Sequence, residues 1–256
     1  MTPSRNAKPR SEALTIFEDP RYYIPCHEGE AYRQVLGRLH RTLQPKNYLE
    51  IGIRRGASLR RSRVTSVGVD PEPLVPDGFS EANPHIHIVR MTSDDFFAGC
   101  DVPALLGGAV DFAFLDGLHH AEALLKDFLN TERLADRNSV IVLHDCIPTD
   151  VGMTRRAQRE TSEYSRHNGQ WAGDVWKIIP ILQSYRPDLR IAFLDAPPTG
   201  LVLVTNLDPD STTLADRYDE LKAEMKELDL AAMGLAEYVG ALGVRPTTSL
   251  KRRGDI

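Results

Sequence analysis

Cysteine is scarce: Cys26, Cys100 and Cys146 are the three in 256 residues. An odd number at wide spacing excludes a disulfide scaffold and makes a structural zinc site a poor fit, so reduced thiols are expected. Long apolar runs are missing as well, and the N-terminal MTPSRNAKPR has basic residues with no apolar core behind them. A soluble, cytoplasmic protein with no membrane partner is the expectation. Positive charge is not in excess: the net charge is −5, which leaves nothing global to attract nucleic acid. Internal repeats and low-complexity linkers are absent. What remains is an ordinary globular composition, 41% hydrophobic and 26% charged, which excludes a disordered chain. The length suits one large α/β domain better than two full ones.

Residues 1 to about 14 are polar and contain proline, as a loose tail would. Tyr32, Val35, Leu36, Leu39 and Leu43 then recur on one helical face, and Pro45 stops the helix. Short apolar segments follow at 48–51, 67–70, 85–89, 110–115 and 139–143, with a clear helix predicted over 121–135. Runs this short and β-branched fit strands covered on both faces by helices. Their alternation with helices predicts a Rossmann-like, doubly wound, mostly parallel sheet. The segments 190–194 and 201–205 are too close for a parallel crossover, so they should close the sheet as an antiparallel hairpin.

In such sheets ligands bind at the carboxyl ends of the strands. The polar residues expected there are Glu50, Asp70, Asp116 and the pair His144-Asp145. After the first strand, Gly52 and Gly56 allow a sharp turn and close approach of backbone N–H groups to a ligand. Asp70 ends the second strand, where an acid can accept hydrogen bonds from ribose hydroxyls. The run lacks the Gly-x-Gly-x-x-Gly order of a nicotinamide site, which counts against an NAD-type oxidoreductase. Asp116 and Asp145 should converge if their strands are neighbours, about 5 Å apart. Two close carboxylates need something positive between them. A divalent cation would serve, with Asp116, His144 and Asp145 as ligands suited to Mg²⁺, Ca²⁺ or Mn²⁺. Helix capping by each acid is the plainer alternative.

Glu50-Ile-Gly-Ile-Arg-Arg-Gly56-Ala-Ser-Leu59, Val67-Gly-Val-Asp70, Met91-Thr-Ser-Asp-Asp-Phe-Phe97, Asp111-Phe-Ala-Phe-Leu-Asp116-Gly-Leu-His-His120 and Val140-Ile-Val-Leu-His-Asp145 occur in that order. Together they resemble the motifs of class I S-adenosylmethionine-dependent methyltransferases, in the branch of macrocin-type sugar O-methyltransferases. The resemblance implies a cofactor site made by Glu50, Gly52, Ile53, Arg54, Gly56, Ser58, Asp70 and Asp116. It also implies that Thr92, Ser93 and Asp94 lie beside the adenine, where residue chemistry alone allows a plain helix cap. It implies O-methylation of a small hydroxylated acceptor, such as a sugar or a glycosylated natural product. His119 would be the general base next to Asp116, a role an imidazole suits at neutral pH; His120 is the lesser option. The second metal position departs from the branch, since His144-Asp145-Cys146 has no acidic neighbour or Asn. A catalytically idle nucleoside-binding partner of another enzyme is the non-enzymatic alternative.

Residues 147–178 form a long irregular crossover with Trp171, Trp176 and the run Gly173-Asp174-Val175-Trp176-Lys177. A loop there suits substrate recognition, although Trp176 also fits helix packing. Beyond it, Leu214, Tyr218, Leu221, Met225, Leu228, Ala232, Leu235, Val239 and Leu242 follow heptad spacing. That spacing predicts a helix over 212–242 and a homodimer contact. The expected organisation is a tail and helix (1–46), a cofactor-binding domain (47–206) and a helical extension (207–256).

Overall fold

The computed structural model describes residues 19–165 and 170–255. The expected tail at 1–14 lies outside the described residues. Helix α1 (Tyr32–Leu43) buries Val35, Leu36, Leu39 and Leu43, and the left-handed Gln44 ends it before Pro45. The chain then runs through β1 (Asn47–Ile51), β2 (Thr65–Val69), α2 (Phe79–Ala82), β3 (Ile86–Val89), α3 (Ser93–Gly99) and α4 (Val102–Leu106). Next come β4 (Val110–Leu115), α5 (Ala121–Glu132), β5 (Ala135–His144), α6 (Gln158–Tyr164) and α7 (Ile178–Tyr185). It ends with β6 (Arg190–Leu194), β7 (Leu201–Thr205), α8 (Tyr218–Glu227), α9 (Leu230–Met233) and α10 (Leu235–Leu242).

The seven strands form one sheet in the order β3-β2-β1-β4-β5-β7-β6. The first five are parallel to one another, and β7 is antiparallel to both β5 and β6. The expected hairpin is present, and its second strand is the one that slots against β5. Side chains alternate across the sheet. Leu49, Ile51, Val67, Val69, Ala113, Leu115, Ile141 and Leu143 join one core, under α5 and α7. Tyr48, Phe112, Phe114, Val140 and Val142 join the other, under α1. Each such side chain, fully buried, stabilises the fold by roughly 1.5–3 kcal/mol relative to exposure. A buried ion pair holds the far end of this layer: Arg186 donates to Glu132 Oε2 and Oε1 at 2.7 and 3.0 Å, and to Asp188.

Two expectations about elements need correction. Strand β5 begins at Ala135, not 139; its start carries the exposed Asp136-Arg137-Asn138, which has no apolar signal, and the register with β4 shifts there. The C-terminal heptads do not form one helix over 212–242. Asp229 caps Ala231 and Ala232, and Gly234 follows at φ 83, so the segment breaks into α8, α9 and α10. Leu214, Leu221, Met225, Leu235 and Leu242 are buried in the same core as the sheet. The seam that suggested a dimer therefore packs on the protein itself.

After α10 the chain crosses the sheet edge. Arg245 exchanges backbone hydrogen bonds with Phe193 and Asp195. Thr247 donates its N–H to Asp195 Oδ1 at 2.6 Å, its hydroxyl accepts from Glu30 N at 2.8 Å, and its carbonyl accepts from Arg38 at 2.6 Å. The start of α1 is thus fastened to the hairpin. No helix among the described residues is long and apolar enough to cross a membrane.

Candidate active site

The carboxyl ends of β1, β2, β4 and β5 open into a cavity of about 770 Å³. Gly52 makes the first wall possible. Its φ is +85°, and a Cβ there would lie 1.9 Å from the Asp116 carbonyl oxygen, so only glycine lets the two strand ends approach. Arg54 follows with a left-handed φ of 44°. Its N–H donates to Asp70 Oδ2 at 2.8 Å, while Glu72 N–H donates to Oδ1 at 2.8 Å. Asp70 is thereby fixed at the cavity wall. Gly52, Ile53, Arg54, Ser58, Asp70 and Asp116 all line the cavity.

Glu50 and Gly56 are not among the lining residues. Glu50 is fully buried beneath the turn, where it accepts hydrogen bonds from Ser58 and from Tyr48, the latter at 2.7 Å. Burial pushes its carboxyl up to about 8, against the pull of those two hydroxyls. Gly56 packs on the Phe79 ring. Thr92, Ser93 and Asp94 also stay off the cavity wall. The Thr92 hydroxyl caps α3 by accepting from Asp95 N, Asp94 pairs with Lys126 at 2.8 Å, and Ser93 hydrogen-bonds the buried Asp127. Capping chemistry, favourable for a threonine before Ser-Asp-Asp, accounts for this segment.

Beside the glycine turn, the ends of β4 and β5 bring together two acids and two histidines. His144 Nδ1 lies 3.1 Å from Asp116 Oδ1 and 3.3 Å from Asp145 Oδ2. His119 Nε2 lies 3.3 Å from Asp116 Oδ1, and its Nδ1 3.3 Å from Asp145 Oδ2. Thr199, from the β6–β7 connection, donates to Asp145 Oδ1. His119 and Asp145 both adopt left-handed backbone, at φ 55° and 62°, a strain of roughly 1–3 kcal/mol each that clusters at functional sites. Burial opposes charge on His119, but Asp145 and Asp116 outweigh it and raise the imidazole to about 9. The same balance raises His144 well above its ordinary value. Burial likewise opposes ionisation of Asp116, and His144 and His119 hold it below the usual carboxylate range. Protonated imidazoles thus supply the positive charge that the two carboxylates require.

The donor set also fits a cation. Ligand atoms of Asp116, His144 and Asp145 lie within 4.8 Å of one another. Two carboxylate oxygens and one imidazole nitrogen suit Mg²⁺ weakly and Mn²⁺ better. Cys146 is not a ligand: its buried Sγ donates to the carbonyls of His144 and Val175, and burial pushes its thiol far up.

Several lining residues carried no signal in the sequence pattern. Tyr32 and Arg33 come from the start of α1, and Tyr32 packs on the His144 ring at 4.3 Å. Gln158, Gln170, Pro198 and Thr199 arrive from distant connections. Trp171, flagged as an aromatic in the crossover, stacks on His119 at 4.8 Å. His120 is the cap residue of α5, with Nε2 3.3 Å from the Arg156 carbonyl, and does not line the cavity. Trp176 is buried against Tyr238.

Residues 49–146, which span β1 to the end of β5, match the family model described as a methyltransferase domain. Over that segment the chain is similar to methyltransferase domains. Solved structures share its fold. The cofactor-bound Rv0187 from MTB has 16% identity and a TM-score of 0.51, with 76% of this chain and 88% of that one covered. The O-methyltransferase from Bacillus cereus in complex with SAH has 14% identity and a TM-score of 0.50, over the same shares. At these identities the likeness is one of fold. No curated protein matches the chain. Residues 49–146 include the strand ends that line the cavity, where a parallel sheet places a ligand.

Proposed function

We propose that this methyltransferase domain transfers the methyl group of S-adenosylmethionine to a hydroxyl of a small acceptor, a sugar or glycosylated natural product. The observation that carries the reading is the presence in one cavity of a glycine turn with Asp70 and of His119 set between Asp116 and Asp145. Gly52, Ile53, Arg54 and Ser58 would hold the amino-acid end of the cofactor and Asp70 its ribose. Glu50 and Gly56 act from beneath by shaping that turn. The 92–94 segment would touch the adenine through its backbone alone, since its side chains are engaged elsewhere.

His119 is the base. Its Nδ1 faces the Trp171 carbonyl at 3.0 Å, and a carbonyl only accepts, so Nδ1 carries a proton. Nε2 receives the acceptor's proton as its oxygen attacks once the imidazole, raised to about 9, is neutral. A divalent ion on Asp116, His144 and Asp145 would acidify the acceptor hydroxyl and cancel the carboxylate field that keeps His119 protonated. The rest is orientation of the acceptor oxygen in line with the methyl group. Trp171 and Tyr32 offer ring faces for an acceptor, and the domain works in the cytoplasm.

Calorimetry with S-adenosylhomocysteine and with NAD⁺ tests the cofactor. Binding of the first alone is expected, and binding of NAD⁺ alone would return the chain to the oxidoreductases. Turnover of labelled S-adenosylmethionine with a panel of glycosides, with and without chelator, tests the reaction. His119→Ala should lower kcat by about 10²-fold or more while cofactor affinity stays within about twofold. Joint loss of both would move the base elsewhere.

A further inference from the structure

The run Gly173-Asp174-Val175-Trp176-Lys177 has no part in the chemistry so far, yet its first residues grip the loop that carries His119. Helix α5 starts directly after His119-His120, and His120 makes no side-chain cap of its own. The cap comes from 53 residues away: the buried Asp174 accepts from Ala121 N–H through Oδ1 at 2.9 Å. Its other oxygen accepts from Arg156 at 2.7 Å, with Lys177 Nζ 3.7 Å away. Arg156 also binds Glu122 in the first turn of α5. Two carboxylates therefore sit at the positive end of that helix dipole. Gly173 is pressed against His119: a Cβ there would lie 1.9 Å from the His119 carbonyl oxygen. Trp171 completes the grip, with its ring stacked on the imidazole and its carbonyl facing Nδ1. Met153 O in turn accepts from Ala172 N and Gly173 N and fixes this segment.

We propose that Asp174 is a positioning residue, which with Gly173 and Trp171 clasps residues 119–121 so that His119 keeps Nδ1 as donor and presents Nε2 on the Asp116 side. The clasp explains how a non-glycine residue holds a left-handed φ of 55° at the start of a helix: neighbours on three sides over-determine it. The proposal rests on the reading of His119 as the base.

The test follows His119 itself by NMR of protein labelled with ¹⁵N-histidine, its ring signals assigned by their loss in His119→Gln. The Nδ1 proton of the unmodified protein should be protected from solvent exchange. Asp174→Ala should speed that exchange about tenfold or more. Asp174→Asn should restore it to within about threefold, because the amide oxygen still accepts from Ala121 N–H. S-adenosylhomocysteine affinity should stay within about twofold in both variants. Unchanged exchange in Asp174→Ala, or an Asn variant no better than Ala, overturns the proposal. If Asp174→Ala does not fold, Arg156→Ala carries the test: about threefold faster exchange is expected, and an unchanged rate overturns it. This readout needs no turnover. Full activity of His119→Ala would sink the base assignment and leave the exchange result to judge the clasp separately.

Discussion

Glu50→Gln separates the cost of the buried acid beneath the glycine turn from everything else that titrates. Burial raises this carboxyl from 4.5 to about 8 in the fold. A group whose folded value is raised holds its proton longer when folded. Its stabilisation is complete below about pH 4.5 and is lost as pH climbs toward 8. A tenfold change in proton affinity corresponds to about 1.4 kcal/mol, so roughly 3 kcal/mol is gone at pH 7 and roughly 5 kcal/mol above pH 8. Glutamine keeps an oxygen for Ser58 and offers an N–H to the Tyr48 oxygen, but it cannot ionise. Urea unfolding of the cofactor-free protein at pH 5, 7 and 9 measures both proteins. Their stabilities should lie within about 1 kcal/mol at pH 5 and diverge by roughly 4 kcal/mol at pH 9, with glutamine ahead. Asp127, His119 and His144 titrate in both proteins and cancel in the difference. A difference that stays flat from pH 5 to 9 would refute the reasoning.

Removing Arg186, buried against Glu132, should cost roughly 3–5 kcal/mol in Arg186→Ala, because a buried carboxylate is left without its cation; urea unfolding reads this. Gly52→Ala should lower S-adenosylhomocysteine affinity at least about tenfold by calorimetry, and destabilise by more than about 1 kcal/mol, since the new Cβ meets the Asp116 carbonyl at a positive φ. Binding of Mn²⁺ should strengthen as pH rises from 6 to 9. The raised His144 must lose its proton to become a ligand. Calorimetry in two buffers of different ionisation enthalpy should therefore show proton release, and no release would mean that His144 stays out of the site.

Much of the sheet is legible in the sequence because its strands are buried on both faces. The bounds 110–115, 190–194 and 201–205 coincide with β4, β6 and β7, where apolar runs are bounded by glycine, proline or acids. Strand ends also carry polar residues, and the parallel arrangement puts Asp70, Asp116, His144 and Asp145 at the carboxyl ends, where they line the cavity. Local chemistry misled where a different partner won. Heptad spacing at 214–242 encoded a face for the sheet's core, and Asp229 and Gly234 cut the helix. Long-range approach was invisible: nothing near Tyr32, Thr199 or Asp174 announces a neighbour 50 or more residues away.

Thr247 has a consequence for the order in which the molecule is finished. It fastens the loop before α1, and α1 delivers Tyr32 onto the His144 ring. A ribosome releases the five parallel strands long before residue 247. During that interval the nascent sheet has both acids and both histidines but no fastened aromatic wall beside them. Completion of the pocket then waits on residue 247, which ties the maturation of the site to the emergence of a residue that never enters it.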